Sequence, residues 1–417
     1  MANGKALIVH THENEVHISG GLGLVEFRRV LAAMRHLISR QGHNKLVLNF
    51  ANCHTAYGGP MLAICCEVIR QRRSGFDFEL VLPESPRLRN MFQNANWAHL
   101  LDPRVHAPSR FRGFTNVPAI QFSSPHEQNA AVNKLIDVVL SSMQSLSRGD
   151  LAGIEWSLNE ITDNVLVHSH SEIGGLVQLT NNSFRRRVEF VVADAGIGIP
   201  TSLRQGHPEI TSDTVALEYA VQEGVTRSTS VGQGNGLYGT FQIAEVSHGF
   251  FQIHSEYARL LFDQDQLRIR SDQIPIQGSL VVVSMNVSTP AALADALRFK
   301  GAQYEPTDWV ETRYERGENE LVFELKKEAS SFGSRVAGQP IRIKLANLIR
   351  MNPGARIIID FTDIPLVSSS FADEVIAKLY VDLGPMAFMR ATEMRNVAPT
   401  VQALIDRAIL QRTRTGL

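Results

Sequence analysis

A carboxylate and an amide stand one helical turn apart near the middle of this chain. Around the run EWSLNEITDNVLVHSH at 155–170, Ile154, Leu158, Ile161 and Val165 repeat at helical spacing as an apolar stripe. Glu160, Asn164 and His168 follow one another at i, i+4 and i+8 on a different face. A carboxylate can take up a proton, and an amide oxygen can ligate a hard cation. Two glycine clusters come next, VADAGIGIP at 192–200 and GQGNGLYGT at 232–240, and then GSLVVVSM at 278–285. Glycine-rich turns can bring backbone N–H groups up to an anion. Singly, each feature has an ordinary reading: a solvated helix face for Glu160 and Asn164, turn residues for the glycines, an Asx turn for Asp194. Their order along one short stretch is what carries information.

Glu-x-x-x-Asn on a helix, Asp-x-Gly-x-Gly after a strand, a Gly-x-Gly-x-Gly loop opening a helix, and Gly-Ser before a last strand together resemble the Bergerat-fold ATPases, the histidine-kinase-like or GHKL class. The resemblance implies ATP and Mg²⁺ as cofactors. It gives Asn164 the metal and Glu160 the role of general base toward an attacking water or hydroxyl. Asp194 would accept a hydrogen bond from the adenine amino group, and Gly196 and Gly198 would let backbone approach the base. Gly232, Gly234 and Gly236 would offer N–H groups to the phosphates, helped by the helix beginning near Leu237. Ser279 stands where that family often has a threonine near the adenine.

The elements that must hold these residues can be read in order. Residues 1–107 form a small α/β unit with a helix at 24–40, a strand at 45–50, a turn through Gly58-Gly59-Pro60, a helix at 61–73, a strand at 76–82 and a helix at 87–94. A Pro-, Arg- and Gly-rich stretch at 108–118 is the first linker. The unit at 119–288 has a helix at 126–145, a turn at Ser147-Arg148-Gly149-Asp150, the Glu160 helix, and strands at 175–180 and 188–193. A helix-like segment at 211–227, ending in polar residues 228–230, has the character of a lid. Shorter strands are expected at 250–256 and 267–270, and a firm one at 280–287. In the unit at 300–417, after a short alanine-rich helix capped by Thr289-Pro290, a strand at 356–361 leads to a helix at 371–383 and an amphipathic helix at 399–412. These elements give an α/β fold class, and the resemblance implies a central sandwich of the Bergerat ATPase type between two small α/β units.

The outer units rhyme. LVLNFANCHTAYGGPML from Leu46 pairs with IIIDFTDIPLVSSSFAD from Ile357, setting Asn49 against Asp360, Phe50 against Phe361 and Gly58-Gly59 against Ser369-Ser370, as an internal duplication would. Strand, loop and helix after a Ser-Ser turn resemble the STAS-like domains of the anti-sigma-antagonist type. In that family the phosphoacceptor serine lies in the turn matched by Ser368-Ser369-Ser370. Here the turn reads Ser-Ser-Ser-Phe where the family has Asp-Ser-Ser-Gly, and Ser370-Phe371-Ala372-Asp373 also fits a capping box.

Composition narrows the rest. With 417 residues and about 150 per domain, roughly three domains are expected. Lys and Arg number 41 against 42 Asp and Glu, so no overall field favours nucleic acid or a membrane surface. Cys53, Cys65 and Cys66 are odd in number and hold no Cys-x-x-Cys, which fits a cytoplasmic protein. No run is apolar enough to suggest a spanning helix. Dinucleotide, P-loop and eukaryotic-kinase signatures are missing. His168 and His170, two apart, face different ways on a helix and make a poor metal pair. Arg227 reads as a surface arginine. His126 lies too close to Glu160 for the phosphoacceptor hairpin of a sensor histidine kinase, and the compact arrangement is similar to the anti-sigma serine kinases. The reading is a signalling ATPase or serine/threonine-kinase-like enzyme, with a protein partner on the STAS-like surfaces and a homodimer left open. The alternative is a nucleotide-gated interaction module with little turnover.

Overall fold

Residues 15–22 alternate inward and outward, with Val16, Ile18 and Leu22 buried, and this period of two makes a half-buried strand. The structure is a computed structural model describing residues 7–110, 116–226, 235–287, 298–299, 302–303, 309–317 and 319–415. Gly232, Gly234, Arg227, the polar residues 228–230 and the alanine-rich stretch after Thr289-Pro290 lie outside the described residues. Two compact units are present, one of Met1–Leu135 with Trp156–Tyr304, the other of Ile136–Glu155 with Glu305–Leu417. Strands and helices mix in both, so the chain is α/β.

The first unit opens with β1 (Ile8–His12), β2 (Glu15–Leu22), α1 (Phe27–Ser39), β3 (Lys45–Asn49), β4 (Cys53–Ala56), α2 (Gly58–Arg73), β5 (Asp77–Val81), α3 (Pro86–Asn94) and α4 (Trp97–Leu101). Its sheet has the order β1-β2-β3-β5 with β4 beside β2; β1 is antiparallel and the rest parallel. The β1–β2 hairpin was not among the elements expected from sequence. The unit continues through β6 (Asn116–Phe122), α5 (Pro125–Ser142), α6 (Arg148–His168), β7 (Gly175–Asn182), β8 (Arg187–Asp194), α7 (Ile199–Arg204), α8 (Asp213–Ala220), α9 (Gly236–Val246), β9 (Phe250–Asp263) and β10 (Gln266–Asn286), then a short ladder of β11 (Arg298–Phe299) and β12 (Ala302–Gln303). Strands β6 to β10 form an antiparallel sheet ordered β6-β7-β8-β10-β9. The two short strands expected at 250–256 and 267–270 are parts of one long β9–β10 hairpin. Gln264 and Asp265, at φ 50° and 56°, make its two-residue turn.

One hydrophobic core joins the first layer to this sheet, from Val16, Phe27, Met34 and Ile64 to Leu176, Val191, Ala193, Leu280 and Val282. Helix α2 is buried nearly all round because it lies between two sheets. At Gly59 a Cβ would come within 3.1 Å of Val282 Cγ2 and 2.5 Å of Leu24 Cδ2, so the helix starts with glycine where the sheet is close. Polar pins fix the same face. Buried Arg28 donates to the carbonyls of Glu256 (2.7 Å), Ile274 (2.6 Å) and Ala258 (2.9 Å) and pairs with Asp272 at 3.2 Å. Trp97 Nε1 donates to the Gln178 amide oxygen at 2.8 Å. Since side chains alternate along a strand, this core on one face leaves Val192, Asp194, Ser279 and Val281 on the other.

The second unit holds the elbow of the α5–α6 hairpin, residues 136–155, together with α10 (Trp309–Tyr314), β13 (Glu315–Gly317), β14 (Glu320–Glu324), α11 (Leu325–Glu328), α12 (Arg335–Met351), β15 (Arg356–Asp360), α13 (Ser369–Ala372), a π-helical turn (Asp373–Ala377), α14 (Lys378–Leu383), α15 (Pro385–Ala391), β16 (Thr392–Arg395) and α16 (Pro399–Thr415). Ser147 and Asp150 cap α6 reciprocally, each side chain accepting the other's backbone N–H. The Asn347 side chain clasps the elbow, donating to Leu140 O and Met143 O and accepting from Leu146 N. Buried Lys344 meets Asp137 and Glu328, each at 2.6 Å.

This unit's sheet, β13-β14-β15-β16, repeats the first one: an antiparallel first pair and then parallel strands. The bonds after the third strand match as well. Asn49 Oδ1 accepts Ala51 N, and Asp360 Oδ1 accepts Thr362 N. Phe50 O accepts Cys53 N, and Phe361 O accepts Ile364 N. The helix starts differ. Tyr57 gives α2 no side-chain cap, whereas Ser368 caps α13 by accepting Phe371 N at 3.1 Å. The capping box expected from Ser370 to Asp373 does not form. Ser370 Oγ sits 3.0 Å from Ser368 Oγ, and Arg412 and Arg335 hold the Asp373 carboxylate. Ser368→Ala is expected to lower stability by about 1 kcal/mol and Ser370→Ala by less, as read from denaturant midpoints at equal m. Among the described residues no helix is long and apolar enough to cross a membrane.

Candidate functional site

On the sheet face turned away from the N-terminal layer, a cavity of about 360 Å³ opens between α6, the end of β8, the interior of β10, and the starts of α7 and α9. Glu160, Asn164, Asp194, Gly198, Gly236 and Ser279 all line it. These six come from stretches far apart in the chain that share no local reason to meet. The volume lies within the range of small-ligand sites.

Helix α6 brings Glu160 and Asn164 onto the cavity while Leu158 and Ile161 of its apolar stripe are buried. Burial, and secondarily the negative charge of Asp163, push the Glu160 carboxyl up to about 7. The start of α9 reaches this carboxylate: a Cβ on Gly236 would lie 2.5 Å from Glu160 Oε2. Asn164, half-buried one turn further on, presents an amide to the same space.

Asp194 ends β8 and is almost wholly buried. Burial raises its carboxyl to about 7, and the N–H groups of Gly196 and Ser279 partly hold it back. Gly196 N donates to Asp194 Oδ1 at 2.8 Å, closing a tight turn. Gly196 itself is not on the cavity wall. Its missing Cβ is the place of the Ser169 carbonyl at the end of α6, which would be 1.9 Å away, and Ile197 N donates to that carbonyl at 2.8 Å. The glycine thus makes room for the end of α6. Gly198 does line the cavity and, at φ 82°, takes a backbone shape that favours glycine.

Sequence reasoning missed the supports behind this wall. Ser255 and Glu256 of β9 accept Ile199 N and Thr201 N, each at 2.9 Å, and so cap α7 from the side. Gln277 Nε2 donates to Gly196 O at 2.6 Å. Leu203, Ala220 and Val225 add an apolar wall, and Asn235 adds a polar group whose side chain accepts Gly224 N at 3.1 Å. None of these belongs to a local motif. His168 lines the cavity and His170 does not, as their spacing suggests. All three cysteines are free and buried, and burial raises the Cys53 thiol to about 11, so they act as core residues.

Residues 337–402 match a family described as a STAS-like domain of unknown function (DUF4325). The match covers β15, its serine-capped helix and β16, so the second unit contains a STAS-like domain. Comparison with curated proteins finds no match for the chain.

Proposed function

We propose that the cavity is a Mg-ATP site of the Bergerat type and that the chain is a signalling ATPase or serine/threonine-kinase-like enzyme. The observation that carries this reading is the convergence of Glu160, Asn164, Asp194, Gly198, Gly236 and Ser279 on one cavity in the order helix, strand end, helix start, strand. Asp194 supplies a buried acceptor for an amino group. Gly236, at the head of α9, lets the Glu160 carboxylate come close to the helix start, and a helix N-terminus favours phosphate oxygens. Asn164 provides one amide oxygen, which suits a cation that takes its other ligands from phosphate and water. Mg²⁺ there would neutralise charge on the phosphates. Glu160, with a carboxyl near 7, is poised to take the proton of a water or hydroxyl as it attacks the terminal phosphorus and the bond to the leaving diphosphate breaks.

Residues 1–107 are read as a second STAS-like copy, supported by the matching sheet order and the paired turns at Asn49 and Asp360. Its Gly58-Gly59, packed toward the central sheet, offers no hydroxyl. Ser369 is exposed, but its neighbour Ser370 is tied to the cap. Hydrolysis, or transfer to a separate protein, is therefore the favoured output. Asn164→Ala tests the metal assignment. ATP affinity measured by calorimetry should lose its Mg²⁺-dependent part, with the melting temperature nearly unchanged because the side chain is half-exposed on a helix. Full retention of the Mg²⁺ dependence would sink the role given to Asn164.

A further inference from the structure

Glu256 interrupts β9. Its backbone stands at φ 45°, a left-handed shape that a long side chain takes only under constraint. The neighbouring strand is broken at the same place. The β9–β10 register passes from Ala258 opposite Ser271 to Glu256 opposite Ile276, so residues 272–275 of β10 stand where β9 has Tyr257 alone. Two arginines of α1 take up carbonyls at this break. Arg28 donates to Glu256 O and Ala258 O on one strand and to Ile274 O on the other, and Arg35 Nη1 donates to Pro275 O at 2.8 Å.

The Glu256 side chain runs to α7. Its Oε1 accepts Thr201 N at 2.9 Å, its Oε2 lies 3.8 Å from Arg204 Nη1, and a Cβ on cavity-lining Gly198 would meet Glu256 Cγ at 3.1 Å. Helices α7 and α8 share a small core around Leu203, Ile210 and Ala216, and α7 walls the cavity with Ile199, Ser202 and Leu203. Polar bonds fasten this wall to β9. Besides Glu256, Asp213 holds Arg204 and accepts Tyr257 N at 3.0 Å. Glu256 is thus held by α1 through its carbonyl and holds α7 through its carboxylate.

We infer that Glu256 is a positioning residue that links the N-terminal layer to the α7 wall, so that the seating of α1 sets how tightly the cavity holds a nucleotide. This rests on the nucleotide reading of the cavity and adds to it a route by which the N-terminal layer regulates affinity. The backbone strain is the physical mark of the link. The α1 arginines hold the break open, and Glu256 keeps the shape that aims its carboxylate at Thr201. Without that grip the residue can relax toward an extended strand and release α7.

Calorimetry of Mg-ATP binding to the full chain tests this. Glu256→Gly loses the carboxylate but suits φ 45°, so its melting temperature should stay close to wild type while Kd rises about tenfold. A merely structural role would move the melting temperature and leave Kd alone. Glu256→Asn tolerates the same backbone but is too short to reach Thr201, and it replaces the glycine variant if that one does not fold. Glu256→Gln keeps an oxygen for Thr201 N and should bind within about threefold of wild type. Arg28→Lys cannot fork across both strands; it should weaken binding in the wild-type background and add little on top of Glu256→Gly, where the link is already cut. Arg35→Lys takes its place if it does not fold. An unchanged Kd in folded Glu256→Gly, glutamine as weak as glycine, or equal losses from the arginine variant in both backgrounds overturns the inference and leaves the nucleotide site standing. A wild type that binds no Mg-ATP overturns the site reading and this inference with it.

Discussion

Glu160→Gln is expected to reduce phosphate release from Mg-ATP by about 10²- to 10⁴-fold while ATP affinity changes little. Glutamine keeps the size and the hydrogen-bonding reach of the side chain at the head of α9, but its amide cannot take a proton. The pH profile separates this from general damage. The Glu160 carboxyl is raised to about 7 by burial and by Asp163, and only its ionised form is a base. In wild type, kcat/KM should therefore rise from about pH 6 to about pH 8 and level off above. The part of that limb due to Glu160 should vanish in the glutamine variant. Phosphate release equal to wild type would remove the general-base role. A wild type that binds ATP tightly but releases no phosphate would favour the nucleotide-gated interaction module instead.

Much of the site was legible because its signals are local. The stripe of Ile154, Leu158, Ile161 and Val165 orients α6, and the apolar run into Asp194 marks a strand end that must turn at Ala195-Gly196. What joins distant segments was not legible. Nothing around Arg28 announces that its guanidinium will collect three carbonyls from the β9–β10 hairpin, and Ser255 sits in an ordinary strand sequence. The same holds for the cap at Ser368. Three adjacent serines offer equivalent local choices; Ser368 makes the cap, while Arg412 and Arg335, distant in sequence, bind Asp373. Helix α12 was overlooked for a different reason: Gly338 and Pro340 punctuate it like a loop. Gly338 is small because Val375 and Glu374 press on it, with a Cβ there 3.0 Å from Val375 Cγ2, so tertiary packing overrides local propensity. The β1–β2 hairpin was missed as well, although Val16, Ile18 and Leu22 alternate along β2.

Asp194→Asn should weaken ATP binding by about 1.5–3 kcal/mol, roughly ten- to a hundredfold, with little loss of fold stability. The direction follows from the bonds already made at this side chain. The N–H groups of Gly196 and Ser279 both point at the carboxylate, and Gly278 crowds it so closely that a Cβ there would lie 2.6 Å from Asp194 Oδ1. An asparagine in this cradle must turn its oxygen toward those two donors, and one amide oxygen can accept both. Its NH₂ is then forced toward the cavity, where it meets the amino group of the base donor to donor. Alanine would be a poorer probe, since it would leave both buried N–H groups unpaired and mix instability with lost recognition. The charge gives a second readout. Burial raises the wild-type carboxyl to about 7, and only the ionised group is a pure acceptor, so wild-type ATP affinity should improve between about pH 6 and about pH 8. The asparagine variant cannot titrate there and should lose that share of the pH dependence. Calorimetry across this range decides the assignment: ATP affinity and pH dependence both equal to wild type in Asp194→Asn would mean that Asp194 does not read the base, and the Bergerat reading of the cavity would fall with it.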